Sequence, residues 1–252
     1  MLAAIVLALI AGLAIGSFLN VVIYRVPRGE SVVSPRSRCP HCGHEITAIE
    51  NVPVFSWLAL RGRCRSCKEP ISWRYPAIEL LTGVLYAGVV AVRFDDGAQI
   101  ALGLILATAL VPITFIDLEF KRIPNVITYP TAVALIVAGC ILDLHGEPER
   151  LLAAAIVVAP FLLLTLVLSR SMGMGDVKLM GVLGLGLGRA LAPGLFFAFI
   201  SGTLVGVGLM LRFGMRARKT AVPFGPFLAA GGVFAFCFGA SLWDSYVDTF
   251  HH

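Results

Sequence analysis

The chain has 252 residues, of which 58% are hydrophobic and only 14% charged, and its mean hydropathy is +0.89. A soluble domain carries about a quarter charged residues, so the composition points to a polytopic α-helical membrane protein; the apolar runs lack the alternation of barrel strands, which argues against an outer-membrane barrel. The net charge of +5 lies between apolar runs, as the positive-inside rule requires, and with no basic tail or recognition motif nucleic acid is set aside as a partner.

Residues 1–24 run without a charge and are long enough to span a bilayer. Arg25 and Arg28 follow this run instead of preceding it, unlike a signal peptide, which places the N-terminus outside and residue 25 onward in the cytoplasm. Residues 25–75 form the one sizeable polar segment. Further apolar runs are read at 75–92, 98–116, 124–142 and 151–169, with a long run at 179–211 and a last one at about 225–243. Lys178 and the basic group Arg212, Arg216, Arg218 and Lys219 both belong in the cytoplasm, so residues 179–211 cross twice or not at all. As helix they span roughly 50 Å, room for two short or tilted crossings hinged near Gly188-Arg189 and Pro193.

The expected architecture is therefore all-α and polytopic, with about eight transmembrane helices, both termini outside and a small zinc-bound cytoplasmic loop domain. All Lys and Arg except Arg93, Arg150 and Arg189 then face the cytoplasm. The expected divisions are a first transmembrane helix at 1–24, a cytoplasmic four-cysteine domain at 25–75 and a transmembrane core at 76–252. The terminal His251-His252 is compatible with a purification-tag remnant and carries no argument.

Within the polar segment stand two C-x-x-C elements, Cys39-Pro40-His41-Cys42 and Cys64-Arg65-Ser66-Cys67. They form a weak internal repeat in which Ile46 and Ile71 occupy matching places. Four thiolates at this spacing suit tetrahedral Zn²⁺, with a pair of disulfides or a redox C-x-x-C as alternatives. Cytoplasmic placement argues against stable disulfides. A closed four-cysteine site has no open position, so it organises the loop rather than catalysing. His41 and His44 are spare on this reading, no H-E-x-x-H suggests a zinc protease, and Cys140 and Cys237, in apolar runs, act as small hydrophobes.

Asp117 stops the third apolar run, and Asp176 lies in Gly173-Met174-Gly175-Asp176-Val177-Lys178 with apolar sequence on both sides. Ionisable residues so close to hydrocarbon are functional candidates. Both are expected at the cytoplasmic face. Two carboxylates in a partly dry site share a proton: the charged one deprotonates a water, and the protonated one donates to the scissile carbonyl and then to the leaving amine. Gly173 and Gly175 are expected to take left-handed backbone angles and to admit a close substrate strand. The bland alternatives are an N-cap for Asp176 and a solvated helix end for Asp117. Gly181, Gly184, Gly186 and Gly188 lie inside an apolar run and read as helix packing, not phosphate binding.

These residues resemble the bacterial prepilin peptidases, or type IV leader peptidases, of the G-x-G-D membrane aspartyl protease family. The resemblance spans nearly the whole chain: Gly16-Ser17-Phe18-Leu19-Asn20 through Arg25, both C-x-x-C elements, Glu50-Asn51-Val52-Pro53, Arg74-Tyr75-Pro76 with Glu79-Leu80, Asp117, the Gly173–Lys178 stretch, and Pro223-Phe224-Gly225-Pro226-Phe227. A small departure is Ala48-Ile49, where an aromatic or more polar residue is common. The resemblance implies a bifunctional inner-membrane enzyme. It would cleave the basic leader of type IV prepilins or type II secretion pseudopilins after a glycine on the cytoplasmic side, then N-methylate the new N-terminus with S-adenosylmethionine. Asp117 and Asp176 fall on the family's catalytic aspartates, supported by Gly173, Gly175 and Lys178.

No Rossmann-type cofactor fingerprint is present, so Asn20, Arg25, Arg74 and Glu79 are the candidates for cofactor or substrate binding. Glu79 is read as binding the substrate amine or the cofactor sulfonium, or as an ion-pair partner of Arg74 or Arg25. Pro223–Phe227 is read as shaping the substrate entrance or, through its prolines and glycine, as simply setting the helix geometry. Glu30, Glu45, Glu50, Glu69 and Glu119 are candidates to receive the basic leader, and the excess arginine suits anionic lipid. Two readings compete: an ion-coupled transporter with a zinc-organised loop, and a peptidase that cleaves without methylating. The sequence does not fix the oligomeric state.

Overall fold

The computed structural model describes residues 1–167, 173–214 and 222–250. Arg170, Arg216, Arg218, Lys219, His251 and His252 lie outside the described residues. The chain divides into two units, Met1–Asp95 and Asp96–His252.

The first unit is a pair of long apolar helices with a polar excursion between them. Helix α1 (Leu2–Arg25) runs antiparallel to α3 (Arg74–Val92), and the short α2 (Phe55–Ala59) lies in the excursion. Two glycines one turn apart on α1 set the α1–α3 distance. A Cβ on Gly12 would come within 2.8 Å of the Gly83 Cα, and one on Gly16 within 2.7 Å of the Glu79 Cα. Without a hydrophobic drive between helices in lipid, such backbone approach is what holds a pair together. At the exit of α1, Arg25 donates to the carbonyls of Ser31 and Pro35 and folds the chain back on itself.

The second unit contains α4 (Gly97–Phe120), α5 (Asn125–Leu142), α6 (Glu147–Val167), α7 (Met174–Leu187), α8 (Leu191–Phe213), α9 (Gly225–Phe234) and α10 (Ala240–Phe250). Its core is built around α4 and α7: Leu102, Leu106, Leu110 and Ile113 meet Leu179, Leu183, Leu135 and Leu228. Glycines again set the distances. Gly184 lets α7 lie on Ala154 of α6, where a Cβ would sit 2.6 Å from the Ala154 Cα, and Gly186 admits Leu106 of α4. Packing of this kind is what the apolar glycine run serves. Meanwhile Leu152, Ile156, Leu163, Leu204 and Leu211 point outward from α6 and α8, the inverse of a water-soluble helix.

Among the described residues, seven helical segments are long and apolar enough to cross a membrane. One of them, Met174–Phe213, is 40 residues long. It is broken by a 3₁₀ turn at Gly188–Ala190, entered through Gly188 at φ 55° and ψ −131°, angles that favour glycine. The break separates α7 from α8 at the expected hinge, so the seven segments make eight helical legs. Only isolated β-bridges, Arg38 with Glu45 and Arg63 with Pro70, occur among the described residues.

Candidate active site

Asp117 occupies the last turn of α4, and Asp176 the first turn of α7. α4 ends because Lys121 turns to φ 53° and its N–H caps the Asp117 carbonyl. α7 begins on Gly173, whose carbonyl accepts the Asp176 N–H at 3.0 Å. The two helix ends bring the aspartates close enough for their charges to interact. Asp117 is 5% exposed, and its Oδ2 accepts the backbone N–H of Gly225, the first residue of α9, at 2.9 Å. Asp176 is half-buried. Neither bland alternative describes the pair. Asp117 is enclosed rather than solvated, and α7 has no side-chain cap, with Gly173 in the N-cap position.

The glycines of this motif act differently from expectation. Neither Gly173 (φ −69°) nor Gly175 is among the positive-φ residues. Their role is close approach: a Cβ at Gly173 would lie 3.0 Å from Asp176 Oδ2, and one at Gly175 would lie 3.0 Å from the Ile123 Cβ. Lys178 does not reach the carboxylates. Its Nζ donates to Asn125 Oδ1 at 3.0 Å and lies 5.1 Å from the Tyr129 ring centre, tying α7 to the start of α5.

Gly225 is the residue that sequence reasoning placed least well. The Pro223–Phe227 stretch read as a substrate entrance or as helix geometry, and its backbone in addition holds an aspartate. A Cβ at Gly225 would meet Asp117 Oδ2 at 2.7 Å and Cγ at 3.2 Å. The sequence signal is a glycine among prolines and aromatics before a helix; its partner, 108 residues away, leaves no local trace.

The four cysteines of the first unit converge. Their Sγ atoms all lie within 4.8 Å of one another, with Cys39–Cys67 at 3.8 Å and Cys42–Cys64 at 3.9 Å. These separations are far from a disulfide bond of about 2.05 Å. They match the edge of a sulfur tetrahedron around a metal with bonds of about 2.3 Å, so the cluster can hold a metal ion. The repeat in the sequence is a repeat in the backbone. Cys39 N–H donates to the His44 carbonyl as Cys64 N–H does to that of Glu69, and Ile46 and Ile71 return to the carbonyls of Ser37 and Gly62. Gly43 and Lys68 take the same left-handed position, at φ 72° and 60°. The four sulfurs perturb one another: the N–H groups of Cys42 and then His41 pull the Cys39 thiol down to about 7, whereas burial and the neighbouring sulfurs push Cys67 up to about 12.

The histidines stand aside from the cluster. His44 Nε2 lies 3.1 Å from Glu50 Oε2, and His41 Nε2 lies 3.9 Å from Glu69 Oε1. The Thr47 N–H and hydroxyl hold the Glu50 carboxyl down at about 2, with its side chain only 7% exposed. Glu50 is thereby committed to the loop and unsuited to receive a leader.

The remaining candidates lie in the first unit. Asn20 is 8% exposed and its Nδ2 donates to the Tyr75 carbonyl at 3.1 Å. Glu79 is 8% exposed and its Oε2 accepts the Val54 N–H at 2.7 Å. Arg25 is engaged with the carbonyls of Ser31 and Pro35, and Arg74 opens α3.

The family model described as "Bacterial Peptidase A24 N-terminal domain" matches residues 10–94, and the "Type IV leader peptidase family" model matches residues 104–211. Three relatives bear the name "Prepilin leader peptidase/N-methyltransferase". The one from Myxococcus xanthus is 42% identical over 217 residues, 84% of this chain, which spans only 64% of that relative's length. The one from Burkholderia pseudomallei is 38% identical over 271 residues, 94% of this chain and 86% of the relative. The one from Aeromonas hydrophila is 38% identical over 278 residues, 97% of this chain and 94% of the relative. No solved structure matches the chain. With each half matched by its own family model and relatives aligned almost end to end, the chain belongs to the type IV leader peptidase family.

Proposed function

We propose that the protein is a membrane aspartic endopeptidase that removes the basic leader from type IV prepilins or type II secretion pseudopilins and then N-methylates the exposed terminus. What supports the peptidase half is a buried Asp117 at the end of α4 and a half-buried Asp176 at the start of α7, near enough for their charges to interact. On this reading the two carboxylates share a proton, since interacting like charges do not both ionise readily. The carboxylate form takes a proton from water as the water attacks the scissile carbonyl, and the acid form gives its proton to the carbonyl oxygen; the first aspartate, now protonated, then gives its proton to the leaving amine as the C–N bond breaks, while the second takes a proton back from the gem-diol. The Gly225 N–H fixes Asp117 during both steps. Gly173, Gly175 and Lys178 support the loop.

The relatives' names support the methyltransferase half. On this reading Cys39, Cys42, Cys64 and Cys67 hold a structural zinc ion, which supplies a rigid cross-link between the two knuckles. S-adenosylmethionine supplies the methyl group. Asn20, Arg25, Arg74 and Glu79 are the first-unit polar side chains assigned on this reading to the methyl-transfer step, not to cleavage. The charge pattern supports an inner-membrane location with both termini outside and the reacting groups at the cytoplasmic face.

Asp117→Asn or Asp176→Asn, coexpressed with a pilin precursor, tests the reading. Each variant should insert normally and leave the precursor uncut by mass spectrometry. Normal trimming by either would exclude the assignment and reopen the transporter reading. A shift of one methyl group on the trimmed wild-type product distinguishes the bifunctional enzyme from one that only cleaves.

A further inference from the structure

The closest approach of α1 to α3 brings the α1 polar residues Ser17 and Asn20 against the first turns of α3. The polar excursion returns to the same place. Val54 sits at φ 62°, ψ −50°, and the Phe55 N–H donates to the Pro53 carbonyl at 2.6 Å. This is a γ-turn of the rare positive-φ kind, and a β-branched residue at its centre is a strained exception. Its N–H donates to Glu79 Oε2 at 2.7 Å. The Ser17 hydroxyl lies 3.5 Å from Asn51 Oδ1.

Two features of this cluster are not explained by folding alone. The hydrogen-bond donor to the Glu79 carboxylate, a backbone N–H, is neutral, although the residue is 8% exposed. A glutamine would accept the same N–H without the cost of burying a charge. In addition, a strained turn is spent on fixing one carboxylate oxygen, and strain of this sort gathers where geometry must be fixed for function.

Methyl transfer to an amine needs such a group. An α-ammonium has no lone pair, so it must first be bound and then lose a proton. We propose that Glu79, held by the Val54 turn, receives the α-ammonium of the trimmed pilin and acts as the proton acceptor for its methylation; this rests on the methyltransferase reading above. The Glu79 carboxylate takes one proton from the ammonium. The freed nitrogen lone pair attacks the methyl carbon of the sulfonium donor; the N–C bond forms, the C–S bond breaks, and its electron pair stays on sulfur as a thioether. The product leaves as a secondary ammonium, and Glu79 returns its proton to water.

Glu79→Gln keeps an oxygen for the Val54 N–H and removes only the charge. In membranes or nanodiscs it should cut precursor within about twofold of wild type and retain its zinc, while methylation of a pre-trimmed pilin peptide falls by roughly 100-fold or more. Binding gives a readout independent of turnover. Wild type should bind the free-amine peptide more tightly than its N-acetylated form, and Glu79→Gln should lose that preference. Methylation at the wild-type rate, or an unchanged preference for the free amine, overturns the role of Glu79 alone. Parallel loss of cleavage, zinc and methylation marks Glu79 as structural and overturns it too. A wild-type enzyme that cuts precursor but never methylates the trimmed peptide overturns the methyltransferase reading, and this role with it.

Discussion

Gly225 concentrates the residue-scale argument. Its N–H donates to a 5% exposed carboxylate, and it has no room for a side chain. Because Gly225 does not hold a positive φ, Gly225→Ala keeps a permitted backbone and acts through contact alone. The new methyl would lie 2.7 Å from Asp117 Oδ2, so the carboxylate must turn away from the N–H. Losing a hydrogen bond to a charged group costs about 1.5–3 kcal/mol, which predicts a fall in precursor cleavage of roughly 10- to 100-fold. Initial cleavage rates of a fluorogenic precursor peptide check this, and a wild-type rate would remove Gly225 from the site. The two aspartates themselves were legible, because acids beside apolar runs are costly and stand out. What fixes them was not, since a backbone N–H carries no residue-type signature. The glycines of the Asp176 motif were legible as a need for space but not as to its kind: Gly173 makes room for a carboxylate, Gly175 for Ile123.

Among the elements, the α5–α6 connection holds more than its sequence disclosed. It reads as a polar link, yet Arg150 is 4% exposed and bridges the connection. Its Nη1 donates to Asp143 Oδ2 at 2.8 Å, its Nη2 to the Asp143 carbonyl at 2.8 Å and its Nε to Glu147 Oε2 at 3.0 Å. Gly139, near the end of α5, leaves the space that Glu147 fills. Sequence pattern misses such a cluster because its members are ordinary loop charges until two helix ends bury them. Arg150→Met would leave Glu147 charged and buried, at a cost on the order of 3 kcal/mol or more. Asp143 gives the pH dependence. The Arg150 guanidinium holds its carboxyl below the usual carboxylate range. A depressed acid contributes stability fully above its unfolded value of about 3.9 and loses it as pH falls further. Asp143→Asn should therefore lower the unfolding midpoint in detergent at pH 7, by about 1 kcal/mol for a partly exposed pair, and the gap to wild type should narrow below pH 4. A gap that stays constant with pH would show that the pair contributes no charge-dependent stability. The knuckles are the opposite case. Their spacing forecast both the convergence of thiols and the matching backbone turns, because two residues between ligands dictate that local geometry.

For the whole molecule, the order of helices followed from hydropathy and basic residues, because lipid forces every backbone polar group into helix and leaves few alternatives. The polar excursion was less legible, and it is where a metal on the four cysteines would matter most. The segment bearing Asn51, Val54 and α2 lies between the two cysteine pairs, so a metal on the four thiolates clamps it at both ends. No regular secondary structure beyond short helical turns and isolated bridges holds this segment among the described residues. Releasing the clamp should loosen the Val54 turn, and with it the seat on Glu79, whereas Asp117, Asp176 and Gly225 all belong to the other unit. Cys64→Ser replaces the most buried of the four thiolates. It should abolish stoichiometric zinc by elemental analysis and reduce methylation of a pre-trimmed peptide by on the order of 100-fold, the effect of misplacing a reacting group by about 1 Å. Cleavage of the precursor should fall far less. Equal loss of both activities would mean that the clamp supports the peptidase as much as the methyl transfer, and zinc retained by the variant would mean that three thiolates suffice.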